Sequence, residues 1–243
     1  MKEYMEYLYD KRSENLSLMD NNCQNLISKM SHEIRNPLTL IYSSLQLLEK
    51  ECPDVSDFFL WDQIKQDVKS TIQLLKDISA FNGSHTLNRS HISVYELVSE
   101  VFSSCFPLMK NRNIEFTSDF DASLDSATLL ADPLKLKEAL TNLLLNASDA
   151  VTLNAANGRI LFSARADHDK VWIHIKDNGP GIPHEYLADL FEPFVTHKPN
   201  GTGLGLSIVC TVAQLHNGKI SVETNTASPD TFTDFCLELP LEQ

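Results

Sequence analysis

Read for the spacing of its apolar positions, the first third of the chain is helical. Ile27, Ile34, Ile41 and Leu48 recur every seven residues, accompanied by Met30, Leu38 and Leu45. That is a packing seam with coiled-coil character, and it predicts one long helix over residues 4–49. Pro53, within Glu51–Asp57, interrupts it. Trp61, Ile64, Val68, Thr71, Leu75 and Ile78 then fall at alternating three- and four-residue steps, which predicts a second helix over residues 57–81. Two amphipathic helices joined by a short loop make an antiparallel hairpin. A lone hairpin buries too little apolar surface, so the pattern predicts a homodimer in which a second copy completes a four-helix bundle.

The stretch Asn82–His91 is polar, contains a glycine and shows no periodicity, as a linker would. Beyond it helices and strands mix. VYELVSEVFSSCFPLM reads as a helix, IEFTSDF as a strand, and DPLKLKEALTNLLLNASDAV as a helix with Pro133 in its first turn. GRILFSARADHDKVWIHIKDN reads as a β-hairpin turning near Asp167–Asp169. LGLSIVCTVAQLH reads as a helix closed by Asn217-Gly218, followed by the strands KISVET and DFCLELP. Without a regular βαβ rhythm, this half predicts an α+β sandwich.

Composition narrows the function classes. The chain has 243 residues, 42% of them hydrophobic and 22% charged, with a formal net charge of −13. Such a balance argues against non-specific nucleic-acid binding and against direct contact with an anionic membrane, both of which need clustered Lys and Arg. Five scattered cysteines without CxxC spacing read as buried apolar groups of a reducing compartment. No apolar run is long enough to cross a bilayer. The expected location is the cytoplasm, with Met1 read more readily as the edge of the cytosolic part of a membrane receptor than as a natural start.

Four segments carry chemistry. In SHEIRNPL, taking Ile27 as heptad position a puts His32 at position f, opposite the seam and facing solvent. Glu33 is its neighbour, and Asn36 lies one turn further on the same face. An accessible imidazole beside a carboxylate can be held in one tautomer and made nucleophilic, and Pro37 is expected to bend the helix just after this cluster. In NLLLNASDA, Asn142 and Asn146 share a helix face, and amide oxygens are hard ligands suited to Mg²⁺. In DNGPGI, two glycines and a proline end a strand, leaving Asp177 as an acceptor for an exocyclic amine. In NGTGLGLSI, Gly201, Gly203 and Gly205 precede an apolar helix, the arrangement of an anion site. It is neither a dinucleotide fingerprint nor a P-loop.

The order SHEIRNPL, NLLLNA, DNGPGI, LFEPF, GTGLGL resembles the H, N, G1, F and G2 boxes of sensor histidine kinases, over nearly all of residues 20–241. The resemblance implies an α+β protein in which a dimeric four-helix bundle precedes an α/β-sandwich ATP-binding domain of the gyrase, chaperone and histidine-kinase type. It implies a signalling helix over residues 1–20, a dimerisation and phosphotransfer hairpin over 21–82, a linker over 83–92 and a catalytic domain over 93–243. His32 would be the phosphoacceptor, Glu33 its base or orienter, and Asn36 the residue that aligns water for dephosphorylation of the partner. Asn146 would hold Mg²⁺ with Asn142 in support, and Asp177 would bind the adenine amine. Gly179 and Gly181 would line the base pocket. Gly201, Thr202, Gly203, Leu204 and Gly205 would form the hinge and floor of a lid over the phosphates. Phe191 and Phe194 match the F box, and Thr233 would lie near the adenine. ATP and Mg²⁺ are the implied cofactors, and a response-regulator receiver domain is the implied partner.

Departures from the pattern are visible. The lid, Val195–Asn200, is short, and Lys198 is its one fixed positive charge, expected on the phosphates. ASDA follows Asn146 where many members carry Lys or an aromatic residue, and Phe232 replaces the glycine often found before Thr233. Two other readings remain. One is a conformational ATPase, although Asn142 stands where those enzymes carry a glutamate base. The other is a scaffold that docks without catalysis.

Overall fold

The computed structural model of the protein describes residues 21–83, 87–152, 157–198 and 201–241, while the side chains of residues 21–29, 32 and 80–83 lie outside that description. The helix expected over residues 4–20 and the outward direction expected of the His32 ring therefore fall outside the described residues.

Helix α1 (Asn21–Glu51) and helix α2 (Trp61–Gly83) are joined through a 3₁₀ turn at Pro53–Asp57. Their antiparallel sense is fixed by contacts at both ends. Arg35 Nη2 donates to Leu75 O (3.0 Å) and Ser79 Oγ (2.7 Å), while Lys65 Nζ reaches Glu49 Oε1 at 2.6 Å. Helix α1 runs without a break through Pro37. One copy of the hairpin covers only part of the heptad seam: Ile34, Ile41 and Leu48 remain 46%, 48% and 42% exposed. Glu33 and Asn36 are exposed, while the neighbouring Ser31 is buried.

The rest of the chain is a two-layer sandwich. Its sheet has the order β2 (Glu115–Phe120), β4 (Arg159–Ala166), β5 (Lys170–Asp177), β7 (Phe232–Pro240), β6 (Lys219–Asn225), with β2–β4 parallel and the other pairs antiparallel. The turn between β4 and β5 forms where it was expected: Asp167 Oδ1 accepts from the N–H groups of Asp169 and Lys170, both at 2.8 Å. Period-two alternation sends Ile160, Phe162, Ala164, Ile173, Ile175, Phe235 and Leu237 to one face, where helices α3 (Val94–Asn111), α4 (Pro133–Thr152) and α5 (Gly205–Leu215) cover them. Each of the Ile, Leu and Phe side chains among them, fully buried, contributes about 1.5–3 kcal/mol. Among the described residues no helix is long and apolar enough to cross a membrane.

One local reading changes. Ser90–Ser93 forms strand β1, paired antiparallel with β3 (Thr128–Ala131), where the sequence shows only an unpatterned connector. Its order comes from a partner some forty residues away, which local patterning cannot register. At the end of α5 the expected closure at Asn217-Gly218 forms, with Asn217 in the left-handed conformation (φ 54°). Gly218 is needed for space, because a Cβ there would run into Glu238 O of β7.

Helices α4 and α5 are tied together by one polar clamp. Asp132 caps α4, its Oδ1 accepting from Leu134 N (3.0 Å) and Lys135 N (3.1 Å) and its Oδ2 from Asn88 N (2.8 Å). Its own N–H donates to His216 Nε2 (2.9 Å), while His216 Nδ1 lies 2.8 Å from Val212 O. A carbonyl only accepts, so Nδ1 carries the hydrogen and the ring is neutral. Burial lowers the His216 pKa from its ordinary value. In the unfolded chain this ring protonates first as the pH falls, so the folded state loses stability below about pH 6.5. Denaturant unfolding from pH 8 to pH 5 should show that loss, and His216→Gln should flatten it while lowering stability at pH 8. An unchanged slope in the variant would contradict the neutral clamp.

Candidate active site

The candidate nucleotide cleft is the place where the ends of β5 and β7 approach helix α4 and the start of α5. Its floor follows from strand register. Asp177 continues the buried series Val171, Ile173, Ile175, so it lies between sheet and helices at the last position of β5. Thr233 continues the series Phe235, Leu237, Leu239 and stands directly across from Asp177 in the β5–β7 pairing. Asp177 is 3% exposed and accepts from Gly179 N at 2.8 Å. Burial pushes its carboxyl up to about 6, against the Gly179 bond and the positive charge of Lys198, which pull it down.

The loop after β5 is built by glycines. A Cβ at Gly179 would sit 2.7 Å from Asp177 Oδ1 and 3.0 Å from Ala150 Cβ, so the loop rests against α4 one turn beyond Asn146. Gly181 has φ 76°, and a Cβ there would strike the backbone of Asn225 in β6. The loop is pinned outside by Thr224, whose Oγ1 accepts from Ile182 N (2.8 Å) and donates to Phe232 O (2.9 Å). Phe232 itself lies under the Lys176 ammonium at 4.4 Å.

The opposite wall is α4. Asn142 and Asn146 face the first residue of α5: a Cβ built on Gly205 would lie 3.9 Å from Asn146 Nδ2 and 4.0 Å from Asn142 Cγ. Helix α5 begins at Leu204 with no side-chain cap, leaving its first N–H groups directed at whatever enters between the two helices. Leu204 itself is fully buried and anchors that start in the core.

The segment between the F-box phenylalanines and α5 crosses the mouth. Phe191 packs on the core, whereas Phe194 is exposed and adopts φ 65°. Phe194 N donates to Gly203 O (3.0 Å), and Gly203 (φ 70°) has no room for a Cβ, with Val195 N 2.7 Å away. Gly201 packs against Thr196 and Lys198. Tyr186 and His197 stack with ring centroids 3.6 Å apart. Thr202 departs from the expected arrangement: its Oγ1 donates to Asp77 Oδ2 of helix α2 at 2.6 Å instead of turning into the cleft. Lys198 Nζ donates to Asn146 Oδ1 (2.9 Å) and to Asp149 Oδ2 (3.1 Å).

Around one cleft the fold thus gathers Asn142, Asn146, Asp177, Gly179, Lys198, Gly205 and Thr233, and places Gly181, Gly203 and Leu204 as its supports. His32, Glu33 and Asn36 lie apart on the hairpin. The pattern reading did not anticipate Arg112, Asp149 and Asp77. Only the departure ASDA after Asn146 marked the region of Asp149. No group of three or more His, Cys, Asp or Glu among the described residues could hold a metal. The residues nevertheless fit a hard cation: Asn146 Oδ1 is turned into the cleft and already holds the Lys198 ammonium.

Both parts of the chain resemble known proteins. Residues 24–82 match the His Kinase A (phospho-acceptor) domain, and residues 131–243 match the Histidine kinase-, DNA gyrase B-, and HSP90-like ATPase domain. The chain is 30% identical over 233 residues to the sensory histidine kinase/phosphatase NtrB of Azospirillum brasilense, a match covering 89% of this chain and 55% of that protein. The chain thus spans about half the length of this curated relative. The solved catalytic domain of the histidine kinase ThkA is 31% identical (TM-score 0.55), with 63% of this chain and 97% of that one covered. ThkA solved in complex with the response regulator protein TrrA is 27% identical (TM-score 0.63), covering 100% of this chain and 67% of that one. With a phospho-acceptor hairpin and an ATPase sandwich matched in order, and a catalytic domain of known structure covered almost end to end, the chain belongs to the sensor histidine kinases.

Proposed function

We propose that this chain autophosphorylates on His32 with ATP and relays the phosphoryl group to an aspartate on a response-regulator receiver domain, working as a homodimer. The observation that carries the reading is the convergence of two helix amides, the uncapped start of α5 and a buried carboxylate on one cleft. That set suits phosphates at one end and a base amine at the other. Asp177 Oδ would accept from the adenine amine, with Thr233 beside it, and Gly179 would let the ring approach the backbone. Asn146 Oδ1 would hold Mg²⁺, supported by Asn142, and the ion would neutralise phosphate charge. Lys198 would contact the phosphates once nucleotide is bound.

In the transfer a nitrogen of His32 forms a bond to the γ-phosphorus as the bond to the bridging oxygen breaks and ADP leaves, while the Glu33 carboxylate takes the imidazole proton. Catalysis is then chiefly positioning and charge neutralisation. Asn36, exposed one turn from His32, would align water during dephosphorylation of the partner. The half-exposed seam at Ile34, Ile41 and Leu48 supports a second copy packing on α1. The domain boundaries proposed are those drawn from the motifs: 1–20, 21–82, 83–92 and 93–243. TrrA binding by ThkA supports a receiver domain as the partner class. The segment would act in the cytoplasm.

Incubation with γ-labelled ATP should place acid-labile, base-stable label on the protein. His32→Gln and Asn146→Asp should each abolish it; free phosphate without label would instead favour a conformational ATPase, and neither product a scaffold. Asn36→Ala should keep full autophosphorylation but lower phosphatase activity toward the phosphorylated partner, and intact phosphatase activity would remove Asn36 from that role. Asp177→Asn has two opposed consequences. The raised carboxyl binds its proton in the fold between about pH 4 and pH 6, so its stabilising effect is lost as the pH rises through that window. The amide should therefore stabilise the nucleotide-free protein by about 1–3 kcal/mol at pH 7.5, but not at pH 4. ATP affinity should fall by about tenfold, as expected for loss of one charge-assisted hydrogen bond. Calorimetric binding and thermal melts test the pair.

A further inference from the structure

Asp149 belongs to none of the roles above, yet it organises the Lys198 ammonium in the cleft. It sits three residues beyond Asn146 on α4, and its two oxygens have different partners. Oδ1 accepts from Arg112 Nη1 at 2.9 Å, and the same guanidinium nitrogen donates to Ser148 Oγ at 2.9 Å. Arg112 is the C-cap residue of α3, held by backbone bonds to Leu108, Met109 and Lys110, so this side of Asp149 is anchored to the scaffold. Oδ2 faces the mouth and accepts from Lys198 Nζ at 3.1 Å, while Nζ also donates to Asn146 Oδ1 at 2.9 Å. The ammonium thus rests on the same amide oxygen that would hold the metal.

From this geometry we infer that Asp149 is a positioning residue that stores Lys198 over the metal amide while the cleft lacks nucleotide. This rests on the reading that the cleft takes a magnesium nucleotide. Asn146 Oδ1 carries an internal cation in the empty state, and Mg²⁺–nucleotide entry exchanges that cation for the metal. Lys198 moves from the Asp149 carboxylate to the phosphate oxygens, trading one anionic partner for another. A neutral residue at position 149 would remove the carboxylate on which Lys198 rests and keep its hydrogen bond to the Asn146 amide. Asp149 therefore acts against nucleotide binding and in favour of an ordered empty cleft. Both partners are about half exposed (Asp149 46%, Lys198 44%), so solvent screens the pair and the effect is modest and salt-dependent.

The test is calorimetric titration of the full chain with Mg²⁺–AMPPNP, comparing wild type with Asp149→Asn and Asp149→Glu. In low salt, Asp149→Asn should bind about two- to fivefold more tightly than wild type, and 1 M salt should erase the difference. Asp149→Glu, which keeps the charge, should stay near wild type. Weaker binding by Asp149→Asn at every salt concentration would mean that the carboxylate supports the metal or the fold, and would overturn the inference. So would equal affinity in low salt. If wild type fails to bind Mg²⁺–AMPPNP at all, the nucleotide reading of the cleft falls and this inference falls with it. Normal wild-type binding with no change in the variant removes only the role of Asp149.

Discussion

The arrangement of this molecule hangs on the register between β5 and β7. Both strands bury every second side chain under helices α3–α5, and both series run on to the cleft end of the sheet, where the apolar residue is replaced by Asp177 on one strand and Thr233 on the other. A one-residue slip in either strand would turn that pair to the open face and send Lys176 or Asp234 inward. Because the pair holds its place between layers, a carboxylate loses its water and keeps its proton up to about pH 6. A group so placed meets an incoming amine with little solvent to displace.

The wall opposite this pair is set by helix placement. Asp132 and His216 tie the start of α4 to the end of α5, so the two helices meet at a set depth. With that end held, Asn142 and Asn146 face the uncapped first turn of α5. The resulting cleft collects amide oxygens, free N–H groups and one lysine. Its electrostatics are nearly balanced within the protein: Lys198 lies against Asn146 and Asp149, and Arg112 steadies Asp149 from behind.

The sandwich also touches the hairpin. Thr202, in the glycine-rich segment, bonds to Asp77 of α2, and Leu75 and Ser79, which flank Asp77, receive Arg35 from α1. The mouth of the cleft is therefore docked on the hairpin at the axial height of the HEIR motif. Arg89, in the connector after the hairpin, donates to Leu215 O at the end of α5. The glycine-rich segment and α1 thus both bond to α2 within residues 75–79.

Much of this was written in local patterns. The seven-residue repeat specified the hairpin, the two-residue alternation specified β4, β5 and β7, and the order of five motifs pointed to the family. These signals are legible because each depends on neighbours within a few positions along the chain. The strand Ser90–Ser93 was not legible, since its order comes from Thr128–Ala131. The rest of Lys198 on Asn146 and Asp149, the brace from Arg112 and the turn of Thr202 toward Asp77 were hidden for the same reason. Each joins residues from 36 to 125 positions apart. The sequence by itself determined the elements and the chemistry brought to the cleft; only the tertiary structure decided which charge faces which, because ion pairs and close approaches depend on distance in space and leave no period along the chain.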